Sequence, residues 1–548
     1  MRRRFDAVVV GAGINGMVAA AELALAGWSV AVIERNQRIG GFIATEERTK
    51  PGYRHDTYSS WHTQFVASRA HAALGEDLRR HGLEYSNTDQ ELCATVSYDG
   101  EVTLAYRSLR QTAALVGSPE DGRTYRRCIE RMTRDAADLS ALTAGDLKSL
   151  AAARAALSLL RSNGLAGCER LLRDLVTSGR SWCRREFDGP DVDRLWVPWL
   201  LQAGLSPDHA SGGVRLPAIA ASLHEDGVPV VVGGAARLVE AFEGLLGSLA
   251  VETITGVTVE RVVLRDGRAA GVVTSGGEVV DAEVAVLASV TPSALYCELL
   301  PPEVVGEQLA REARRFRHGR AAMQLHVALR APLRWDDSRL DTTPVVHLSD
   351  GSSSTGIACA QAEAGLLPDR PTVVVGQQHV LDSTRVPPGG GALWIQLPEV
   401  PFVPLGDARG ELDVSGGWTA DLTYACAYRA LDCLSRHVHG LRRAVLRVDA
   451  ISPPSLWDHN VNAVRGDPYG GDPQLDQSFG WRPLPGSGHR TAVRNLWHIG
   501  ASTRPGAGLS GASGHLVAQR LIGTTCVQPR ARDAVSRWTK HHGRSFLR

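Results

Sequence analysis

The residues best suited to chemistry stand near the N-terminus, where three glycines and one acid have the spacing of a nucleotide-binding turn. Gly11, Gly13 and Gly16 form the sequence G-x-G-x-x-G, and Glu34 follows 23 positions after the first of them. The first glycine permits a tight bend, the second lets a pyrophosphate approach the backbone, and the third lets a helix pack closely on a strand. The acid accepts hydrogen bonds from the hydroxyls of the adenosine ribose. These four residues predict a dinucleotide site.

The elements around these glycines have the order that such a site needs. Residues 5–10 are an apolar, β-branched run typical of a buried parallel strand, residues 17–27 have helical spacing, and residues 29–33 predict a second strand that ends at the acid. The first turn of the helix offers the free N–H groups of Ile14 and Asn15 to the phosphates. A lone glycine motif is weak evidence, but here strand, turn, helix, strand and acid agree.

The residues after the acid indicate which dinucleotide is bound. Arg35 follows Glu34, and a Gly40-Gly41 pair comes five residues later. In this respect the chain resembles the superfamily of FAD enzymes that includes amine oxidases and phytoene desaturases, whose Gly-Gly loop passes along the pyrophosphate. Phe42 departs from the small or basic residue usual there. The resemblance implies bound FAD, with Arg35, Gly40 and Gly41 among the residues that contact it.

Two segments in the middle of the chain extend the resemblance. Residues 229–241 (PVVVGGAARLVEA) are similar to the superfamily's proline, Gly-Gly and helix segment, and residues 257–273 are similar to the strand pair that follows it. By this similarity the backbone of Val259 meets the adenine. The residues themselves predict the same strand pair, since Asp266 and Gly267 form a hairpin signal between two apolar runs.

The most diagnostic segment lies near the C-terminus. Residues 495–499 predict a buried strand, a glycine-rich loop follows, and residues 512–522 predict a helix. This arrangement closely resembles the C-terminal motif of carotenoid desaturases, and residues 467–485 resemble the run before it. The partial positive end of the helix would stabilise negative charge on a reduced flavin. The residues that the resemblance places against the flavin are Gly500, Ala501, Gly508, Leu509 and Ser510.

Because these segments are widely separated, the fold is expected to be α/β with interleaved domains. A Rossmann-type, glutathione-reductase-like FAD domain is predicted from residues 1–85, 225–300 and 485–530, and an α+β substrate domain from residues 86–224 and 301–484. Residues 531–548 are expected to be a tail. No second strand-glycine-helix-strand-acid unit occurs, which argues against a dedicated NAD(P) site.

The residue types near the expected flavin limit the reaction. Amine oxidases of the superfamily typically place a lysine near the flavin, and some carry a cysteine bound to it. This chain has no lysine between Lys148 and Lys540 and no cysteine within residues 500–514. Both absences favour noncovalent FAD and a desaturase-like dehydrogenation of an organic molecule at a C–C or C–N bond. Redox-neutral isomerisation, amine oxidation, an NADPH-fed reductase and a noncatalytic flavoprotein stay open.

Three polar residues are candidates for direct roles in catalysis. Tyr58 and His62 follow the phosphate loop and could position the substrate or move a proton, and Arg504 could pair with an anionic substrate or flavin. Polar residues that merely line a domain junction are the competing interpretation. Trp196 and Trp199 are interpreted as core, with a wall for an apolar substrate as the alternative.

Composition excludes several classes of partner. The chain has 548 residues and a net charge of +1, so nothing favours nucleic acid. Nine cysteines without a C-x-x-C pair argue against a metal site or a disulfide framework. We expect a cytoplasmic enzyme with a small-molecule substrate, for which an apolar compound is one candidate, and with oxygen or a quinone as electron acceptor. The arginines of residues 154–185 are interpreted as a solvated face, with a membrane or acidic partner as the alternative.

Overall fold

The structure, a computed structural model, describes residues 3–144 and 149–525. Its strands, numbered in chain order, are β1 (Arg3–Val10), β2 (Val30–Ile33), β3 (Thr45–Glu46), β4 (His55–Asp56), β5 (Tyr85–Ser86), β6 (Glu91–Val96), β7 (Val102–Tyr106), β8 (Val230–Val231), β9 (Glu252–Ile254), β10 (Val259–Arg265), β11 (Arg268–Thr274), β12 (Val279–Ser289), β13 (Ala321–Leu329), β14 (Val345–Leu348), β15 (Leu366–Leu367), β16 (Val373–Gly376), β17 (Gly391–Val400), β18 (Gly406–Asp407), β19 (Val445–Ile451) and β20 (Leu496–Ile499).

Helices cover much of the rest of these residues. They are α1 (Ile14–Leu25), α2 (Thr63–Val66), α3 (Arg69–Arg80), α4 (Leu109–Ala113), α5 (Pro119–Ala144), α6 (Leu150–Val176), α7 (Gly179–Glu186), α8 (Asp191–Trp196), α9 (Gly212–Asp226), α10 (Ala236–Ser248), α11 (Pro302–Val305), α12 (Glu307–Arg315), α13 (Ser352–Glu363), α14 (Ala420–Leu434), α15 (Leu441–Ala444), α16 (Pro453–His459) and α17 (Ala512–Thr525).

The first sheet positions the predicted nucleotide turn. Its strand order is β10-β11-β12-β1-β2-β9, with β20 also paired to β12. The strands β1, β2, β12 and β20 run parallel, with Val10 opposite both Ile33 and Ala288, and Ser289 opposite Ile499. Their carboxyl ends therefore share one edge, which is where open α/β sheets bind ligands.

Helices α1 and α17 pack closely on each other beside this sheet. A Cβ on Gly514 would overlap the carbonyl oxygen of Asn15, so only glycine allows the approach. The Oδ1 of Asn15 accepts a hydrogen bond from the N–H of Gly514 at 3.3 Å. The two helix N-termini are thereby brought next to each other, although 499 positions separate these residues.

The second sheet forms the opposite side of the molecule. Its strand order is β19-β13-β17-β16-β14-β6-β7, with antiparallel pairs except the parallel pair β14 and β6. One side packs on α14 through an apolar cluster that includes Leu325, Leu393 and Leu431. Helices α5, α7, α8 and α9 pack on the opposite face of the sheet, in a cluster that includes Trp182 and Trp196.

The predicted fold class is confirmed. The strand, turn, helix and strand of residues 3–33 have the predicted order, and the hairpin turn has positive φ angles at Asp266 (50°) and Gly267 (67°). The strands of the first sheet come from residues 3–33, 252–289 and 496–499, and the second sheet from residues 91–106 and 321–451. The domain bounds stay a prediction, and the expected tail lies outside the described residues.

The arginine-rich segment has a mixed surface. Arg170 forms an ion pair with Glu186 at 2.7 Å and Arg180 with Asp208 at 2.6 Å, so carboxylates neutralise part of its charge. Leucines on α6 are exposed, among them Leu165 at 81%. None of the helices within residues 3–144 and 149–525 has the length and apolar character of a membrane span.

Candidate active site

A cavity of about 460 Å³ lies where the carboxyl edge of the first sheet meets the second sheet. Loops after β1, β12 and β20 form one wall, and β13, β14, β16, β17 and α9 contribute the other. Volumes of this size are usual for cofactor and small-molecule sites. The wall on the side of the first sheet is called the nucleotide wall below, and the opposite one the substrate wall.

The nucleotide wall is built around the N-terminus of α1. Gly13 is the N-cap of this helix and no side chain caps it. The N–H groups in the first turn of a helix lack partners within the helix, so an anion bound here would satisfy them. Gly13, Ile14 and Asn15 line the cavity, and a Cβ on Gly13 would meet nothing within 4 Å. The space before this turn is open for a phosphate.

Gly11 and Gly16 lie on the side of the turn that faces away from the cavity. A Cβ on Gly16 would overlap the carbonyl oxygen of Gly11, and one on Gly11 would lie 3.0 Å from the carbonyl oxygen of Ser289. Gly11 also has a φ of 89°, which favours glycine. Neither residue lines the cavity. Both hold α1 against the sheet so that its N-terminus faces the cavity.

Glu34 also lies behind the wall. Its buried carboxylate accepts hydrogen bonds from the N–H of Ala12 at 2.8 Å and the N–H of Asn36 at 2.9 Å. An ionised carboxylate has about four acceptor sites, so others remain for ribose hydroxyls. The predicted contact with the ribose is compatible with this arrangement and stays a prediction.

Further glycines complete the nucleotide wall. A Cβ on Gly41 would lie 3.3 Å from the Cα of Gly13, which brings the Gly40-Gly41 loop beside the first turn. Gly500 lies against Ser289, and Gly508 lies so close to Gln64 that a Cβ would overlap its side chain. All of these residues line the cavity. The contact with Gln64 was not predicted, because no local motif marks that residue.

The other predicted cofactor contacts divide into two groups. Ala501 and Leu509 line the cavity. Arg35 is exposed, and Val259 is buried in β10. The hydroxyl of Ser510 accepts a hydrogen bond from the N–H of Ala512 at 3.2 Å, so it caps α17. Arg35, Val259 and Ser510 are outside the lining of this cavity, and their contacts with the cofactor stay predictions.

Tyr58 and His62 both line the cavity, in a loop fixed by a buried ion pair. The carboxylate of Asp56 accepts a hydrogen bond from Arg385 at 2.6 Å and another from the N–H of Ala235 at 2.7 Å. Both charged side chains of the pair are 2% exposed or less. The loop is thereby attached to the segment before α10 and to a residue 329 positions away.

The surroundings determine the protonation of these two residues. Burial lowers the pKa of His62 to about 4, so its imidazole is neutral at pH 7. Burial raises the pKa of Tyr58 to about 12, so its hydroxyl keeps its proton. Tyr58 packs against Phe42 and His459, with ring centroids 5.1 and 4.4 Å apart. The site can therefore offer a neutral base and a phenolic donor.

Arg504 is not brought to the cavity. A Cβ on Gly488 would lie 3.0 Å from its Nη2, and its charge contributes to the lowered pKa of His489. Its guanidinium therefore lies near residues 488 and 489, outside the cavity lining. Proximity to the loop in sequence therefore does not place this side chain in the cavity lining, and its predicted pairing with an anionic substrate or flavin stays a prediction.

The substrate wall is mainly apolar. Trp199 and Trp394 line it with Ile219, and Trp394 also packs edge-on against Trp61 with ring centroids 5.0 Å apart. Trp199 therefore matches the alternative interpretation of an apolar substrate wall. Trp196 is fully buried in the core, as the favoured interpretation predicted. A wall of this kind excludes water and suits an apolar substrate.

A covalent or lysine-assisted flavin site would place a cysteine or a lysine in the cavity. Within the described residues no lysine or cysteine lines the cavity, and Lys50 is exposed on the surface. In the same part of the chain no group of three or more His, Cys, Asp or Glu side chains is placed to hold a metal ion.

Replacing Arg385 with leucine is expected to lower the free energy of unfolding by about 3–5 kcal/mol. Asp56 and Asp382, the two carboxylates that Arg385 contacts, would remain buried without their cation. Urea unfolding of the holoprotein measures the change. Arg334→Leu is the control, because its ion pair with Asp341 leaves the arginine 75% exposed and should change stability little. Equal effects of the two variants would contradict this role of Arg385.

The residues present fit a bound FAD. The nucleotide wall offers an open, glycine-lined space at the N-terminus of α1, and the N-terminal loop of α17 lines the same cavity through Gly508 and Leu509. A helix N-terminus favours negative charge, which suits the pyrophosphate at α1 and a reduced flavin ring at α17.

Comparison with known proteins agrees with this geometry. Residues 14–415 match the family described as flavin containing amine oxidoreductase. A mouse protein named pyridine nucleotide-disulfide oxidoreductase domain-containing protein 2 is 26% identical, over 94% of this chain and 92% of its own length. A zeta-carotene-forming phytoene desaturase of Myxococcus xanthus is 27% identical, over 53% of this chain and 52% of its own.

Solved structures share the fold. Cyclohexylamine oxidase from Brevibacterium oxydans superimposes with a TM-score of 0.56 at 16% identity, covering 95% of this chain and 99% of its own. At this identity the likeness concerns the fold alone.

Proposed function

Because the chain belongs to the family of flavin-containing amine oxidoreductases, we propose that it dehydrogenates a small, mainly apolar organic molecule in the cavity described above. The chain is an FAD-dependent oxidoreductase of the desaturase-like branch. One observation carries the proposal: a glycine-lined wall suited to the cofactor faces an apolar wall suited to the substrate across the same cavity.

The nucleotide wall binds and orients the cofactor in this proposal. Gly13, Ile14 and Gly41 approach the pyrophosphate, and Glu34 holds the ribose. The N-terminus of α17, reached through Gly508, stabilises negative charge on the flavin. FAD held there would supply hydride acceptance from a C–H bond of the substrate, with oxygen or a quinone as the proposed electron acceptor.

The substrate wall and the loop of Tyr58 and His62 supply the remaining functions. Forming a C–C double bond also releases a proton from the neighbouring carbon, and His62 is the candidate to accept it because burial keeps its imidazole neutral. The hydroxyl of Tyr58 can donate a hydrogen bond to a polar group of the substrate. Trp199 and Trp394 keep water from the reacting carbons.

The competing functions differ in what happens to the flavin. An isomerase would change its substrate without net reduction, and a noncatalytic flavoprotein would leave every substrate unchanged. An amine oxidase that uses a lysine near the flavin is not favoured, because none of the described residues that line the cavity is a lysine. A cytoplasmic location stays a prediction.

Anaerobic addition of a suitable substrate to the holoprotein is expected to bleach the visible absorbance of the oxidised flavin. Candidate terpenoid alkenes, fatty acids and amines are mixed singly with the protein, and products are identified by mass spectrometry. Readmitting air or adding a quinone in its absence distinguishes the two acceptors. NADPH is tested separately, and rapid bleaching by it would favour a reductase. A flavin that dithionite bleaches and no substrate does would contradict the proposed dehydrogenation.

A further inference from the structure

The substrate wall contains one cationic side chain, Arg215, on a helix face that is otherwise uncharged. Arg215 lines the cavity from α9, together with Ala218, Ile219, Ser222 and Leu223. These positions are spaced as one face of a helix, so the whole face of α9 is turned towards the cavity. Arg215 stands at the N-terminal end of that face, where the helix dipole adds to its positive charge.

The charge of Arg215 is not compensated within the described chain. Arg215 forms no ion pair with any carboxylate of residues 3–144 and 149–525, and burial alone lowers its pKa. Among the described residues that line the cavity, Asp467 is the only one with a carboxylate. This carboxylate accepts hydrogen bonds from the backbone N–H groups of Gly319, Tyr469 and Gly471 at 2.7–2.8 Å. The carboxylate of Asp467 therefore binds backbone N–H groups and forms no ion pair with Arg215.

A second arginine near the site, Arg482, differs from Arg215 in that backbone carbonyl oxygens accept its hydrogen bonds. Arg482 is fully buried, and its Nη2 donates to the carbonyl oxygens of Ala501 at 2.8 Å and Gly470 at 3.1 Å. Arg482 thus fixes the loop that lines the cavity. Arg215 has no comparable set of acceptors, although it lies close enough to Arg482 for the two charges to repel.

The surroundings of Arg215 favour one class of anion. A cation in an apolar cavity is unfavourable until an anion pairs with it, and guanidinium pairs with carboxylate through two parallel hydrogen bonds. One cation balances one negative charge, which fits a carboxylate better than a phosphate dianion. The indole rings of Trp199 and Trp394 leave the rest of the wall to an apolar chain.

We propose that Arg215 binds the carboxylate of an amphipathic carboxylic acid, whose apolar chain lies along Trp199 and Trp394. This inference rests on the proposed function, since it names the class of substrate for the same cavity. Arg215 acts in it as a specificity-determining residue. It fixes one end of the substrate so that a defined carbon of the chain faces the flavin.

The test compares decanoate, decan-1-ol and decyl phosphate as ligands of the holoprotein. Their affinities are obtained from changes in the visible flavin spectrum without turnover. Wild type is expected to bind decanoate about 10- to 100-fold more tightly than the alcohol, the usual value of a hydrogen-bonded charge pair. Arg215→Met should lose this preference, and Arg215→Lys should keep part of it. Arg237→Met, an exposed position on α10, should bind all three ligands as wild type does.

Several outcomes would overturn the inference. Equal or absent binding of decanoate and alcohol by wild type, or an unchanged preference in Arg215→Met, would show that no carboxylate site exists there. Tighter binding of decyl phosphate would assign a phosphate instead. Loss of FAD from both Arg215 variants would assign the residue to the cofactor.

The test separates this inference from the proposed dehydrogenation. If Arg215→Met loses decanoate while no compound bleaches the wild-type flavin, the carboxylate site stands and the dehydrogenation fails. If compounds bleach the flavin equally in both proteins and decanoate binding is unchanged, the dehydrogenation stands and the carboxylate site fails.

Discussion

Gly13→Ala is expected to fold as the wild type does and to bind FAD about 10- to 100-fold more weakly, the cost of crowding one methyl into a close-packed contact. The backbone of Gly13 has φ −69° and ψ 177°, which alanine adopts without strain. A Cβ there would meet no protein atom within 4 Å, but it would project into the cavity where the pyrophosphate must approach. The new methyl group would therefore clash with the pyrophosphate of FAD and with no atom of the protein.

Two matched variants make this result specific. Gly16→Ala should impair folding itself, because its Cβ would overlap the carbonyl oxygen of Gly11. Gly247→Ala, at an exposed position of α10 where a Cβ also meets nothing within 4 Å, should leave FAD binding unchanged. The measurements are the thermal stability of each apoprotein and its FAD affinity from fluorescence quenching. Wild-type affinity in a folded Gly13→Ala protein would contradict the assignment of the phosphate site.

The sequence predicted the nucleotide turn well because its signals are local. The glycines of residues 11–16 and the apolar runs on either side lie within one short segment, and backbone sterics favour glycine at Gly11 and Gly16. The hairpin at Asp266 and Gly267 was predictable for the same reason, since both residues tolerate positive φ. Such features depend on neighbours in sequence and not on the rest of the fold.

The residues that sequence analysis missed depend on contacts between distant segments. Gln64 meets Gly508, and Arg385 meets Asp56, across several hundred positions. Arg215 lies on a helix face whose role is visible only once α9 is placed beside the second sheet, facing the nucleotide wall. Arg504 follows a glycine-rich loop in sequence, but its guanidinium lies near residue 488 and outside the cavity lining. Side-chain direction is a tertiary property.

The second large effect expected is a loss of stability in mild acid, caused by buried histidines. Burial lowers the pKa of five histidines that are less than a tenth exposed to about 3 or 4, and they are His55, His62, His347, His379 and His498. In the unfolded chain each would have its ordinary pKa of about 6.5. The unfolded state therefore takes up protons between pH 6.5 and 4 that the folded state does not.

The sign of the effect follows from this difference. Stability rises with pH wherever the unfolded state binds more protons, so these histidines destabilise the fold progressively as pH falls below about 6.5. At pH 5 each contributes a loss of roughly 2 kcal/mol. Glu399 opposes them, because burial raises its pKa to about 7 and its folded-state proton stabilises the protein as pH falls through that value. The stabilisation that Glu399 gives in acid offsets the loss of stability caused by about one of these histidines.

The five histidines together are thus expected to remove most of a typical stability of about 5–15 kcal/mol by pH 5. Urea unfolding of the FAD-saturated protein at pH 7.5, 6.5, 5.5 and 5.0 measures the loss. His347→Leu removes one such group from a position where the ring packs edge-on against Trp199. Whatever its effect at pH 7.5, this variant should lose about 2 kcal/mol less than wild type on going to pH 5. Equal stability of the wild type at pH 7.5 and pH 5 would mean that these imidazoles are protonated, and hence hydrated or paired, in the folded protein.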